Sequence, residues 1–141
     1  MFTNNNDMKI LYIPLDTSIK EEDDFYLALI KAGHEVTWYW DHHFIDCHEY
    51  DIAHFQSGAV KRGIIQACKA GHCLVTQWTG DYRPEPMHMV TQYEGLVDIT
   101  FMAANVPELY PNENIVWLPH WVGDWQFRDI NPNAEGIVMF A

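Results

Sequence analysis

Apolar residues along this chain gather into short runs separated by polar, glycine-containing joints. Lys9–Leu15 (KILYIPL), His34–Trp40 (HEVTWYW), Asp51–Gln56 (DIAHFQ), His72–Trp78 (HCLVTQW), Asp98–Ala104 (DITFMAA) and Asn114–Val122 (NIVWLPHWV, stopped by Pro119) each have strand length. Gly136–Ala141 (GIVMFA) is one more such run. Between them lie segments with helical spacing. Glu21–Gly33 carries acids in its first turn, Phe25, Tyr26, Leu29 and Ile30 on one face, and Gly33 as a left-handed stop. Ser57–Gly71 places Val60, Ile64, Ala67 and Cys68 on one face, with Ser57 as N-cap. Pro86–Leu96 is a third helical segment, with Pro86 at its first position.

The tetrapeptide Lys-Ala-Gly-His occurs twice, at Lys31 and Lys69, each time joining a helix to a β-rich run that ends in Trp. Repeated short returns from helix to strand are the signature of a parallel sheet. The element order predicts an α/β chain with a single Rossmann-like, doubly wound, mostly parallel sheet. Its expected span is residues 8–130. Residues 1–7 are expected to form a disordered leader, and residues 131–141 a terminal strand that resembles the start of a second domain.

Composition narrows the partners. The 48% hydrophobic and 14% aromatic content fits one packed domain. The net charge of −12, with only 8 Lys+Arg, argues against nucleic acid and anionic lipid as partners. No apolar run is long enough to span a bilayer, and the polar start MFTNNNDMKI lacks a signal-peptide pattern. Cys47, Cys68 and Cys73 form no CxxC pair, which fits a reducing, cytoplasmic compartment; Cys68 and Cys73 are expected in the core. The His-rich run Trp40–Asp51 (WDHHFIDCHEYD) matches no zinc spacing and is expected to be a solvated connector, so no metal is predicted. Neither GxGxxG nor GxxxxGK[ST] occurs, which excludes a nucleotide phosphate loop of either kind, and no cofactor is predicted.

In such sheets ligands sit beyond the carboxyl ends of the strands. The candidate binding residues at those ends are Asp16, Gln56, Ser57, Trp78, Thr79, Gly80, Arg83, Asn105 and Trp121. Trp faces beside amides and carboxylates suit a sugar, whose C–H faces stack while its hydroxyls are gripped. Asp81 and His120 are the candidate catalytic residues, as base and orienter. Asp81 and Arg83 have a second reading, as an ion pair that pins the turn between them.

The motifs MKILYIPL, DIAHFQS, VTQWTGDYR, YEGLVDITFMAA and IVWLPHWVGDWQF stand in an order that resembles the N-terminal half of GT-B glycosyltransferases. The resemblance runs from about Met8 to Phe127 and is nearest to bacterial and phage proteins similar to family 4 and to the spore-protein CgeB-like group. It implies an acceptor-side domain, with no bound metal, that meets a sugar acceptor and works with a donor-binding domain on a separate polypeptide. Trp78, Thr79, Gly80 and Arg83 would shape the acceptor pocket, and Asp81 and His120 would serve as base and orienter. A different class of function is a non-catalytic binding or interaction module on the same half-fold. Under either reading the GIVMFA strand, as an unpaired apolar edge, predicts a homodimer unless a partner chain takes that edge.

Overall fold

The computed structural model describes residues 7–15, 17–41, 45–56, 62–80, 93, 95–104, 108 and 114–119. Among them are six strands: β1 (Lys9–Ile13), β2 (Glu35–Trp38), β3 (Ile52–Gln56), β4 (Leu74–Thr79), β5 (Ile99–Met102) and β6 (Ile115–Trp117). Two helices join them, α1 (Asp24–Lys31) and α2 (Arg62–Ala70). All strands run parallel, in the order β2-β1-β3-β4-β5-β6. This is the expected Rossmann-like α/β sheet. β2 and β3 flank β1 on opposite sides, so the topological switch point lies between β1 and β3.

Alternation of side chains sends each strand's residues to two covered faces. Leu11, Ile13, Ala53, Phe55 and Val75 pack with Ile65 and Cys68 of α2 and with Cys47. Tyr12 and Trp38 face the other way and pack with Tyr26, Phe25 and Leu29 of α1. Burial on both faces explains why the strands read as continuous apolar runs rather than alternating ones.

Two strand starts share one device. The Asp51 backbone N–H donates to the Lys9 carbonyl at 2.8 Å, and its carboxylate accepts from the Lys9 N–H at 2.8 Å. Asp98 makes the same reciprocal pair with Val75, both at 2.8 Å, and also pairs with Lys69. The Asp-Ile dipeptides at 51 and 98 therefore fasten β3 to β1 and β5 to β4 before the ladders begin.

The elements are shorter than the sequence pattern implies. Leu15 lies exposed beyond β1. Lys20–Glu22 form a separate 3-10 turn, and Asp23 leaves helical geometry (φ −79°, ψ 102°) to cap α1 through the Tyr26 N–H. Within α1 the buried side centres on Tyr26, with Phe25 and Leu29 half-buried, and Ile30 is 44% exposed rather than buried. In α2 the buried residues are Ile65 and Cys68, with Ile64 half-buried and Ala67 exposed. Ser57 and Val60 lie outside the described residues. Tyr39–Asp41 turn as a 3-10 segment instead of extending β2. Of the expected helix over 86–96, Tyr93, Gly95 and Leu96 are described. They form a turn closed by Leu96 N–H to the Tyr93 carbonyl at 2.9 Å, with Gly95 at φ 78°. The leader, except Asp7, and residues 131–141 lie outside the described residues. So does any dimer contact made by residues 136–141.

The two Lys-Ala-Gly-His copies end their helices in different registers. After α1, the Gly33 N–H donates to Ile30 and the His34 N–H to Leu29, with Gly33 at φ 96°. After α2 the same pair of bonds is made one residue later, by His72 to Lys69 and Cys73 to Cys68. It is His72 that takes the left-handed conformation, at φ 64°. Space decides the difference. A Cβ on Gly71 would stand 2.7 Å from the Cys47 Cβ and 2.9 Å from its carbonyl carbon. Gly71 is thus required by close approach, and His72 by default carries the positive φ. Gly71→Ala is expected to destabilise the fold by about 2 kcal/mol through overpacking. His72→Gly is expected to stabilise it by ~0.5 kcal/mol, the relief of left-handed strain less the added chain entropy. Urea unfolding of the two variants checks this; a neutral Gly71→Ala would mean that the backbones do not meet there.

Candidate functional site

The carboxyl edge at the switch point is built from β1, β3, β4 and the turn that leads into α1. On the α1 side, successive register partners are Tyr12, His54 and Thr76, and one step nearer the carboxyl edge Gln56, Trp78 and Phe101. Parallel register alone sets these rows.

The first row is polar and buried. The Tyr12 hydroxyl donates to the Asp23 carboxylate, 2.9 Å from each oxygen, and accepts from the Gln56 amide Nε2 at 3.0 Å. The same carboxylate accepts the Tyr26 N–H at 3.0 Å. Burial, followed by the nearby Asp23 charge, pushes the Tyr12 phenol far above its ordinary pKa, so it stays neutral. Beside it, His54 Nδ1 and Thr76 Oγ1 stand 2.8 Å apart, while Nε2 has no partner among the described residues. The Phe25 ring stacks on the imidazole at 4.5 Å and 6°. Burial lowers the His54 pKa from 6.5 to about 3, so the ring is neutral. On the opposite face Gln77 Nε2 donates to Thr100 Oγ1 at 2.8 Å, and Gln77 Oε1 lacks a partner among the described residues.

Of the residues singled out from sequence, four are described. Gln56 is buried and tied to Tyr12. Trp78 is half-buried, and its Nε1–H reaches across β5 to the Leu118 carbonyl at 3.3 Å. Thr79 is wholly buried and faces away from Trp78, opposite Met102. Gly80 follows at the edge, half-buried. Asp16, Ser57, Asp81, Arg83, Asn105, His120 and Trp121 lie outside the described residues. The structure therefore joins Gln56 and Trp78 as register partners and adds Tyr12, Asp23, His54 and Thr76 behind them. The sequence carries a signal for two of these: Tyr12 and His54 are hydrogen-bonding residues set between apolar neighbours inside their strands.

No protein family, curated protein or solved structure matches this chain. The site must be judged on its own chemistry. Its buried row supplies neutral hydrogen-bonding groups, of which Tyr12 ties Gln56 to the Asp23 cap of α1. Its edge supplies the face of an indole whose N–H is already engaged. Among the described residues, no group of three or more His, Cys, Asp or Glu could hold a metal ion. Nor is any described helix long and apolar enough to cross a membrane.

Proposed function

We propose that this chain is the acceptor-side domain of a GT-B-type glycosyltransferase, with its sugar acceptor held at the carboxyl edge of the sheet. The observation that carries the reading is the pairing of Trp78 with Gln56 at that edge. With its N–H engaged by Leu118, the indole can offer a sugar only its apolar face, which is how aromatic rings meet the C–H side of a pyranose. The neighbouring amide, oriented by Tyr12 and Asp23, is the kind of group that grips hydroxyls. The motif order from MKILYIPL to IVWLPHWVGDWQF supports the same assignment, and with it Asp81 and His120 as base and orienter. The donor nucleotide-sugar is assigned to a second, donor-binding domain.

The test is a titration of the chain with a panel of glycans and, separately, nucleotide-sugars, followed through the indole N–H resonances in NMR. One or more glycans should shift the Trp78 resonance, identified by its loss in Trp78→Phe, and Trp78→Ala should weaken that binding at least tenfold (about 1.4 kcal/mol). Sugar transfer should then appear when a donor-binding domain is supplied with it. A panel that leaves the Trp78 resonance unmoved, or nucleotide-sugar binding with no glycan binding, would overturn the reading.

A further inference from the structure

The three cysteines, spread over the sequence, converge at the amino-terminal edge of the sheet, away from the Gln56–Trp78 edge. Cys47 sits in a 3-10 turn, Cys47–Glu49, within the connector between β2 and β3. The sequence pattern makes that connector a solvated one, but Cys47 is buried, packed against Cys68 of α2 and against Gly71. The Cys47 and Cys68 sulfurs are 3.4 Å apart. Cys73 also neighbours Cys68, but its thiol is engaged with backbone carbonyls, donating to that of Cys47 at 2.9 Å and lying 3.4 Å from that of Tyr50.

We propose that Cys47 and Cys68 form an inducible disulfide, a redox modification site that staples the β2–β3 connector to α2. A sulfur pair at 3.4 Å needs only small side-chain rotations to reach the ~2.05 Å of a disulfide. Cys47, at 8% exposure against 0% for Cys68, is the thiol that a small oxidant meets first. With a hydroperoxide as oxidant, the Cys47 sulfur attacks the outer oxygen. The O–O bond breaks, the oxidant leaves as alcohol or water, and Cys47 becomes a sulfenic acid. The Cys68 sulfur then attacks the Cys47 sulfur; the S–OH bond breaks, water leaves with the Cys68 proton, and the S–S bond forms. Two electrons pass from the two thiols to the peroxide. Burial, reinforced by the neighbouring Cys47, holds the Cys68 thiol well above its ordinary pKa. Resolution is therefore slow at neutral pH and faster in alkali. A reducing compartment keeps the pair open, so the bond marks oxidative conditions.

The folded chain is treated with hydrogen peroxide at pH 8, denatured in N-ethylmaleimide, digested without reductant and read by mass spectrometry. The expected product is a Cys47–Cys68 crosslink with Cys73 alkylated, retained in Cys73→Ser. In Cys68→Ala, Cys47 should instead accumulate as a sulfenic acid that dimedone traps. Crosslinking should raise Tm by roughly 5–10 °C, reversibly with dithiothreitol, because it closes a loop of some twenty residues in the unfolded chain. Three alkylated thiols after treatment, a crosslink through Cys73, or Cys47 carried to the sulfinic acid without a crosslink would each overturn the proposal. So would a crosslinked chain of unchanged or lower Tm, since the pair would then not be preformed.

Discussion

Between pH 6.5 and about 3 the fold is expected to lose about 1.4 kcal/mol of stability per pH unit to His54 alone. The imidazole is 3% exposed, and its neighbours are the rings of Phe25, Tyr12 and Phe101 and the Thr76 hydroxyl. None of these carries a negative charge that would offset the hydration an imidazolium loses on burial. In the unfolded chain the ring binds a proton as pH falls through 6.5; in the folded chain it resists until about pH 3. The unfolded state thus holds the extra proton across this window, and stability falls as pH falls. Above 6.5 both states are neutral and the contribution is complete. Summed over the window the loss is about 4–5 kcal/mol, a large part of the stability of an ordinary domain. Urea unfolding at intervals from pH 4 to pH 8 measures it, with His54→Leu as the control. The variant leaves Thr76 without its partner, a cost that does not depend on pH, and removes the titration. Its stability should therefore depend on pH less steeply, by one proton between pH 4 and 6. Parallel curves for the two proteins would show that His54 is not the group responsible.

His54 also illustrates what the sequence can and cannot say. Every described strand is visible as an apolar run, because a parallel sheet covered on both faces makes the pattern continuous. The ends were less visible. Asp23 looks like one more acid in the first turn of a long helix, yet its carboxylate serves the Tyr12 hydroxyl and the Tyr26 N–H, so the helix begins after it. The buried side of the helix is also narrower than the apolar stripe, and Ile30, at its margin, is exposed. The two Lys-Ala-Gly-His copies are identical locally and differ structurally because Cys47, more than twenty residues upstream, presses on Gly71 alone. The site divides in the same way. Gln56 and Trp78 are legible because each stands at or near the end of an apolar run on the ligand side of the sheet. The contact between Tyr12 and Asp23 is not, because it depends on how the chain between β1 and α1 folds back, and no periodicity encodes that.

Removing the Asp23 carboxylate is the second large effect. Asp23→Ala is expected to cost about 3 kcal/mol, combining a lost helix cap of ~1 kcal/mol with a buried phenol deprived of its acceptor, ~1–3 kcal/mol. The hydroxyl of Tyr12 is wholly buried and its only proton goes to Asp23, while its lone pair receives the Gln56 amide. Without the carboxylate it still accepts but has nowhere to donate. Tyr12→Phe removes the same bond from the other side and leaves the cap intact, so it should cost less, about 1–2 kcal/mol, chiefly through the orphaned Gln56 amide. If the two groups act as a unit, the double variant should be less destabilised than the sum by about 1–2 kcal/mol. An additive cycle would mean that Asp23 acts only as a cap. The cycle also bears on function, because Gln56 lies between this pair and Trp78. Releasing the amide should weaken glycan binding in Tyr12→Phe at temperatures where the fold is intact, while leaving the Trp78 indole bonded to Leu118 and its resonance in place.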